Sequence, residues 1–357
     1  MNQRDSRLKQ QKICASKVKR RPTAERNKNS TRARPKLLVV AVSLAMSVIC
    51  ALSVYMPAGL HNDQREQLKA MEVAPSSPPF ELAEMLDDLQ SQIRSMSVQP
   101  KLHLGAFAVE PKSGRYVSVD GEQTFAAASM IKVPVLVKLL LAIDNKEVDP
   151  GEILVMRPDL IGGGSGFLQW RPPNSRVSLK EAMETMIIFS DNTATNLIID
   201  RLGGIDVCNK DFERWGLSQT EIHNWLPDLE GTNKTSPKDL VSILATVDKG
   251  DLLSADSRKR MLAIMEKTRI KTLLPFHLPP GSKIAHKTGD IGSLVGDCGI
   301  IDSPDGRHFI ACVAVSRPHN DRRANELIRQ VSKVMYSGIV SGSPVQISQK
   351  KAKSVSQ

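Results

Sequence analysis

The chain has 357 residues, of which 41% are hydrophobic and 24% charged, a composition that is ordinary for one large globular domain or two modest ones. The net charge of +11 is concentrated at the start, because residues 1–36 hold 13 of the 49 Lys and Arg residues but only two of the 38 acidic residues. The remainder has 36 residues of each sign and no basic excess, which excludes nucleic acid as an expected partner.

An uncharged apolar run, Leu37 to Ala58, follows this basic tail. A helix of about 20 residues spans the hydrocarbon core of a bilayer, and the run is long for the apolar core of a cleaved signal peptide. We therefore predict a cytoplasmic tail over 1–36 and a single-pass anchor over 37–58 in the plasma (inner) membrane, with the rest of the chain extracytoplasmic. A buried core helix and cleavage after the run remain as alternatives.

A linker containing Ser76-Ser77-Pro78-Pro79 occupies residues 59–79, a folded domain residues 80–341, and a polar tail, predicted to be disordered, residues 342–357. Apolar periodicity in the folded domain predicts strands and helices. The strands are Leu102–Glu110, Tyr116–Val119, Lys283–Lys287, Leu294–Ile301 and His308–Ser316. The helices are Phe80–Met96, Ser129–Ile143, Leu179–Phe189, Thr193–Leu202, Pro237–Asp248, Ser257–Lys267 and Asp321–Met335. This order predicts an α/β (α+β) fold, in which one five-stranded antiparallel sheet is interrupted by a helical subdomain over about 127–270.

Three cysteines, Cys208, Cys298 and Cys312, fall in the folded domain. Their odd number excludes a complete disulfide framework. Cys298 and Cys312 lie in consecutive predicted strands, so that one cross-strand bond is possible but not required. No spacing of Cys or His is typical of a metal site, and we expect neither a metal nor a cofactor.

The first candidate catalytic element is Ser129-Met130-Ile131-Lys132 at the start of an apolar helix. This spacing places a hydroxyl and an amine one helical turn apart on the same face. A buried lysine beside a second cation has a lowered pKa and can accept the proton of a serine nucleophile. The pattern alone carries little weight, since Ser6, Ser16 and Ser348 also begin S-x-x-K stretches; only Ser129 precedes a buried helix.

Two further elements each occur once in the chain. Ser190-Asp191-Asn192 lies between two predicted helices, where Asp191 or Asn192 could simply cap the second helix. Lys287-Thr288-Gly289 stands at the end of a predicted strand and could be an ordinary strand end. Neither element alone indicates a function.

In the order S-x-x-K, S-D-N and K-T-G, the three elements resemble the motif set of penicillin-binding proteins and class A β-lactamases. The resemblance extends over roughly Phe80 to Ser337 and implies the β-lactamase/DD-peptidase fold. It implies that Ser129 attacks a carbonyl, that Lys132 accepts its proton, that Ser190 relays a proton to the leaving nitrogen and that Lys287 keeps the local field positive. It also implies substrate contacts by Asn192, Thr288, Gly289 and Asp290, with the backbone N–H groups of Ser129 and Asp290 forming the oxyanion hole.

One stretch departs from the class A pattern. Class A β-lactamases carry W-E-P-E-L-N in a loop between the second and third motifs, and its first glutamate activates the water that hydrolyses the acyl-enzyme. The matching stretch here runs from Trp225 to Glu230 and has Leu226 at that position. An apolar side chain cannot accept a proton from water, so the chain is more similar to the PBP-A type of penicillin-binding protein. Glu221 and Glu230 are the nearby carboxylates that could substitute.

The resemblance leaves three functions open. The first is a serine DD-peptidase that acts on D-Ala-D-Ala stem peptides of peptidoglycan and is acylated by β-lactams. The second is a class A-like β-lactamase with a displaced base, and the third is a penicillin receptor without enzymatic activity. The sequence makes no prediction about the oligomeric state.

Overall fold

The computed structural model describes residues 79–341. The predicted cytoplasmic tail over 1–36, the anchor over 37–58, the linker up to residue 78 and the tail over 342–357 lie outside these residues. Within residues 79–341, no helix is both long enough and apolar enough to cross a membrane.

Eight α-helices and ten strands form in the described part of the chain. The helices are α1 Asp87–Ser97, α2 Lys132–Asp144, α3 Leu179–Ile188, α4 Asn192–Arg201, α5 Ile205–Arg214, α6 Pro237–Lys249, α7 Ala255–Met265 and α8 Arg323–Ser341. The strands are β1 Glu84–Met85, β2 His103–Glu110, β3 Arg115–Val119, β4 Phe125–Ala126, β5 Ile153–Val155, β6 Arg176–Ser178, β7 Lys234–Thr235, β8 Lys283–Ile291, β9 Leu294–Asp302 and β10 His308–Ser316.

The main sheet has the strand order β1-β3-β2-β10-β9-β8. The predicted five strands are all present and pair antiparallel, but the predicted count of five is wrong because β1 adds a sixth strand, parallel to β3. Two residues of pairing are too few to leave a periodic pattern in the sequence. Strand β8, which carries the third motif, therefore lies at one edge of the sheet, and the helices from α2 to α7 are inserted in the chain between β3 and β8.

Both faces of the sheet are covered, because successive side chains of its long strands point to opposite sides. Phe107, Val109, Ile310 and Cys312 belong to a core that includes the buried side chains of α2, α3 and α6. The residues between them face a second core, formed with α1 and α8. Strand β8 contributes Ala285 to the first core and Ile284 to the second, and its backbone pairs with β9 from Lys283 to Ile291.

The prediction of a helix beginning at Phe80 is wrong. Residues 83–86 are extended, since the backbone N–H groups of Ala83 and Leu86 donate to the carbonyls of Gly114 and Tyr116. Leu82 and Met85, whose spacing would place them together on the apolar face of such a helix, are 42% and 39% exposed. The helix itself begins only at Asp87.

The open possibility of a disulfide between Cys298 and Cys312 is not realised. The two residues are directly opposite each other on β9 and β10, but both are free thiols. The sulfur of Cys298 instead lies 3.7 Å from the carbonyl oxygen of Lys287, toward which its thiol donates. The thiol of Cys298, on β9, thus contacts the backbone of the neighbouring strand β8.

Candidate active site

Ser129 lies in a 3₁₀ turn, Ala128–Ile131, that runs directly into α2 at Lys132. The predicted continuous helix from Ser129 is thus slightly wrong, because the first turn is tighter than α-helical. The consequence predicted from the S-x-x-K spacing is nevertheless present: the Lys132 amine donates to the Ser129 hydroxyl at 3.0 Å. Lys132 itself is fully buried.

Three further contacts fix the Lys132 amine. Its nitrogen lies 2.8 Å from the side-chain carbonyl oxygen of Asn192, 2.7 Å from the backbone carbonyl oxygen of Ser190 and 3.2 Å from the Ser190 hydroxyl oxygen. Burial is the main cause that lowers the pKa of Lys132 well below its ordinary value, the charge of Lys287 lowers it further, and Asp191 partly opposes both. These conditions favour the neutral amine, which is a proton acceptor.

The hydroxyl of Ser190 bridges two amines, at 3.2 Å from that of Lys132 and 3.0 Å from that of Lys287. Ser190 has a φ of 58°, in the left-handed region that non-glycine residues rarely adopt. Strained backbone of this kind is retained where the surroundings over-determine it. Here it presents both the carbonyl and the hydroxyl of one residue to Lys132.

Lys287 is fully buried on the edge strand β8 and also donates to the Thr288 carbonyl at 2.6 Å. Burial lowers its pKa to about 8, against the opposing effects of Asp297 and Cys298. At neutral pH Lys287 therefore remains mostly charged, while its charge disfavours a second proton on Lys132.

The start of α4 organises the glycine-rich loop that faces it. Asp191 caps the helix by accepting from the backbone N–H of Ala194, and its other oxygen accepts from the N–H groups of Phe167 and Leu168, each at 2.8 Å. A Cβ on Gly166, whose φ is +92°, would stand 2.2 Å from that oxygen, so glycine is required there. Capping and loop binding explain Asp191 fully.

Strand β8 passes close to the turn that carries Ser129. A Cβ on Gly289 would lie 3.0 Å from the Cβ of Ala128 and 3.1 Å from the backbone nitrogen of Ser129. The absence of a side chain therefore lets the backbone of β8 approach the nucleophile. The carboxylate of Asp290, the next residue, pairs with the buried guanidinium of Arg317, a contact that no motif in the sequence indicated.

Leu226 is 6% exposed and belongs to the apolar core. The side chain of Asn196 fixes its backbone, donating to the Leu226 carbonyl at 2.7 Å and accepting from the Leu226 N–H at 2.9 Å. Asn196 lies one helical turn after Asn192, on the same face of α4. The loop position inferred from the sequence is thus attached to the helix that orients Lys132, and it presents an apolar side chain.

Glu221 and Glu230, the two carboxylates that could replace the missing base, do not share the buried environment of Leu226. Glu230 is exposed, and Glu221 is exposed with a carboxylate oxygen 3.2 Å from His223. Asp228, which also belongs to the loop, is buried but already accepts from the N–H groups of Thr232 and Asn233.

A cavity of about 520 Å³ opens beside Ser190, Lys287 and Thr288. Phe167, Phe189 and Arg269 also line it, and sequence reasoning did not find them. They come from separate parts of the chain and form no motif. The signal that the sequence did contain was Phe189, an aromatic residue directly before the Ser190 motif.

These contacts assemble a nucleophile, an amine whose lowered pKa favours the form that can take its proton, a hydroxyl that links two amines, and a cation. Such a set can perform acyl transfer through a covalent serine intermediate without a metal. Within residues 79–341 there is also no cluster of three or more His, Cys, Asp or Glu side chains suited to a metal ion.

Comparison with known proteins agrees with this chemistry. A family model described as the β-lactamase enzyme family matches residues 88–339. A curated relative, a β-lactamase of Bacillus licheniformis, is 27% identical over 268 residues, which is 72% of this chain and 85% of that relative.

Solved structures include one of PBP-A, which is 48% identical with a TM-score of 0.71 and matches 74% of this chain and 99% of that chain. A second is a leucine-to-glutamate mutant of PBP-A as an acyl-enzyme complex with penicillin G. It also shows 48% identity and a TM-score of 0.71, over 72% of this chain and 97% of that chain.

Proposed function

The chain belongs to the β-lactamase enzyme family, within the superfamily of serine β-lactamases and penicillin-binding proteins, and from this we propose that it is a penicillin-binding serine DD-peptidase. In this proposal, it cleaves D-Ala-D-Ala ends of peptidoglycan stem peptides and is acylated by β-lactams. The observation that carries the proposal is the set of direct hydrogen bonds that joins Ser129, Lys132, Ser190 and Lys287.

Acylation begins when the Ser129 hydroxyl attacks the carbonyl carbon of the penultimate D-alanine and neutral Lys132 accepts its proton across 3.0 Å. Backbone N–H groups of Ser129 and Asp290 stabilise the oxyanion, which the close approach of Gly289 to Ser129 permits. Ser190 passes the proton from Lys132 to the leaving nitrogen. Lys287 and Thr288 bind the terminal carboxylate of the substrate, while Asn192 orients Lys132 and contacts the substrate amide.

Deacylation distinguishes the peptidase from a β-lactamase. A general base typically contributes roughly 10²–10⁴-fold to the rate of such a step, and at the loop position of that base this chain has the buried Leu226. The acyl-enzyme formed with penicillin is therefore long-lived in this proposal. The leucine-to-glutamate mutant of PBP-A is a precedent for introducing a carboxylate in a relative that forms a penicillin acyl-enzyme.

A class A-like β-lactamase with a displaced base remains the second candidate, because the curated relatives that match this chain include β-lactamases. It would require Glu221 or Glu230 to reach the hydrolytic water from an exposed position. A penicillin receptor without enzymatic activity is the third candidate. It is less well supported, because Ser129 and Lys132 provide both a nucleophile and a base for catalysis.

Release of D-alanine from an N-acylated D-Ala-D-Ala peptide tests the proposed activity. The wild-type protein should release D-alanine, and pre-incubation with penicillin should prevent the release. Ser129→Ala should abolish it, while Ser95→Ala, an exposed serine on α1, should retain it. Release that persists in Ser129→Ala would refute the assignment of the nucleophile, and an inactive wild type that hydrolyses penicillin rapidly would favour the β-lactamase.

A further inference from the structure

The cavity beside Ser190 lies on the side from which a leaving group departs. In the proposed reaction Ser190 delivers a proton to the leaving nitrogen, so the group attached to that nitrogen must lie next to its hydroxyl. The cavity begins at Ser190, Lys287 and Thr288 and has a volume of about 520 Å³. A single D-alanine fills only a small part of this space.

Two aromatic rings and an aliphatic side chain form apolar walls of the cavity. The rings of Phe167 and Phe189 meet edge to face, with their centroids 5.2 Å apart. Ile270 also lines the cavity and is 49% exposed. Walls of this kind suit an aliphatic chain better than a small polar residue.

Arg269 adds an unmatched positive charge to this wall. Its guanidinium carbon lies 5.4 Å from the centroid of the Phe189 ring, a cation–π geometry that limits its freedom. Within residues 79–341, no carboxylate forms an ion pair with it under a 4.0 Å limit. A guanidinium held in this way is available to bind a carboxylate of a ligand.

The segment that carries Arg269 is anchored on both sides of the cavity. Its own backbone N–H donates to the carbonyl of Ile188, directly before Phe189, at 3.3 Å. The hydroxyl of Thr268 donates to the carbonyl of His286, directly before Lys287, at 2.7 Å. The backbone that carries the exposed Arg269 side chain is therefore anchored beside the reacting groups.

We propose that this cavity takes leaving groups larger than D-alanine, namely a diamino acid residue with two carboxylates, of the kind that closes a peptide cross-link. The first carboxylate, next to the leaving nitrogen, binds at Thr288 and Lys287 as in the proposed function. The second, at the far end of the aliphatic chain, binds Arg269, while Phe167, Phe189 and Ile270 contact the chain between them. The enzyme is then a cross-link-cleaving endopeptidase more than a carboxypeptidase, an inference that rests on the proposed function.

The chemical step is the same amide cleavage. A bond forms between the Ser129 oxygen and the acyl carbon, the C–N bond to the diamino acid breaks, and the serine proton ends on the leaving nitrogen. Water then displaces Ser129 from the acyl carbon, which regenerates the hydroxyl.

Three synthetic substrates that share one N-acyl-D-Ala half and differ in the leaving residue test this inference. The leaving residues are D-alanine, D-lysine and diaminopimelic acid joined through its D-centre, of which the last two differ only in the second carboxylate. The wild type should cleave the diaminopimelate substrate with a kcat/KM roughly 2- to 5-fold above that for the D-lysine substrate, as one ion pair with an exposed arginine provides.

Arg269→Gln should remove this preference and Arg269→Lys should keep part of it. Arg260→Gln, the same charge change at an exposed position on α7, should leave it as in the wild type. Equal values for the two substrates in the wild type, or an undiminished preference in Arg269→Gln, would overturn the inference while release of D-alanine still supports the peptidase. No release of amine from any of the three substrates would instead refute the proposed function, and this inference with it.

Discussion

At the scale of single residues, the fate of the acyl-enzyme depends on Leu226. Its backbone is clamped by Asn196 and its side chain is buried, so a substituted side chain keeps the same position. Leu226→Glu should therefore shorten the lifetime of the penicillin acyl-enzyme, by less than the roughly 10²–10⁴-fold that a well-placed base provides. The gain should fall short because burial of the new carboxyl raises its pKa and disfavours the form that accepts a proton.

The lifetime is measured by intact mass spectrometry after excess penicillin is removed. Leu226→Gln is the matched control, since it has the same shape as the glutamate variant but no basic group. It should decay like the wild type. If Leu226→Glu folds and decays no faster than Leu226→Gln, the assignment of this loop position is incorrect.

Lys287 should control the pH dependence of acylation through its charge. Lys132 accepts the serine proton only when neutral, and the charge of Lys287 is one cause of its lowered pKa. Lys287→Gln should raise the pKa of Lys132, reduce its neutral fraction at a given pH and move the acid limb of the acylation rate to higher pH. The wild type should also lose rate above about pH 8, where Lys287 itself deprotonates, and the variant should lack that limb.

The measurement is the rate of penicillin acylation across the pH range. Lys283→Gln provides the control, because Lys283 is exposed at the start of the same strand. It should reproduce the wild-type profile. Profiles of Lys287→Gln and the wild type that differ only by a constant factor at every pH would count against the coupling of the two lysines.

At the scale of secondary structure, His308 ties three elements together. Its ring nitrogens lie 2.9 Å from a carboxylate oxygen of Asp248, in α6, and 2.7 Å from one of Asp302, at the end of β9. The hydrogen bond to Asp248 is the largest cause that raises the pKa of His308 to about 9. A folded-state pKa above the unfolded value of about 6.5 stabilises the protein fully below that lower value, and this stabilisation disappears as the pH rises through about 9.

His308→Gln should accordingly lower the free energy of unfolding at pH 6 by roughly 1 kcal/mol, a figure reduced for solvent screening of a side chain about one third exposed. At a pH near 10 the variant and the wild type should differ little. Urea denaturation at both pH values measures the difference, with His103→Gln, an exposed histidine on β2, as the control. A loss of stability that is the same at both pH values would show that the protonated bridge is not its cause.

The elements also show what sequence patterns can and cannot predict. Strands β9 and β10 were predicted within one residue because their runs of buried residues are long and bounded by the Asp305-Gly306 turn. Helix α5 was missed although Ile205, Cys208 and Phe212 recur at helical spacing, because the helix is short and half of its ten residues are charged. The end of β8 was placed too early, at Lys287, because the pairing of Thr288 to Ile291 with β9 depends on a partner strand rather than on local composition.

The candidate site likewise contains residues that local sequence motifs predict and residues that only the folded structure brings there. Ser129, Lys132, Ser190, Asn192 and Lys287 were predicted because their fixed short spacings form motifs, and hydrogen bonds bring them together. Arg269 and Phe167 could not be predicted, because only the packing of two distant loops places them beside Ser190.

At the scale of the whole molecule, the net charge is confined to one end of the chain. Residues 1–36 carry all of the net charge of +11, and an uncharged run over 37–58 follows them. We propose that this run anchors the protein in the plasma membrane with residues 80–341 outside. A protease added to intact spheroplasts should then digest the folded domain, and full protection of that domain would show that it lies on the cytoplasmic side.

The proposed function depends on an active site that is acylated readily by penicillin and deacylated slowly. The most direct test follows wild-type protein, mixed with a small molar excess of penicillin, by intact mass spectrometry over time. We predict one adduct of the mass of penicillin on Ser129 that persists long after the reaction is complete, with most of the excess penicillin left intact. Rapid consumption of all the penicillin, with the protein returning to its unmodified mass, would contradict the proposed function and identify the protein as a β-lactamase.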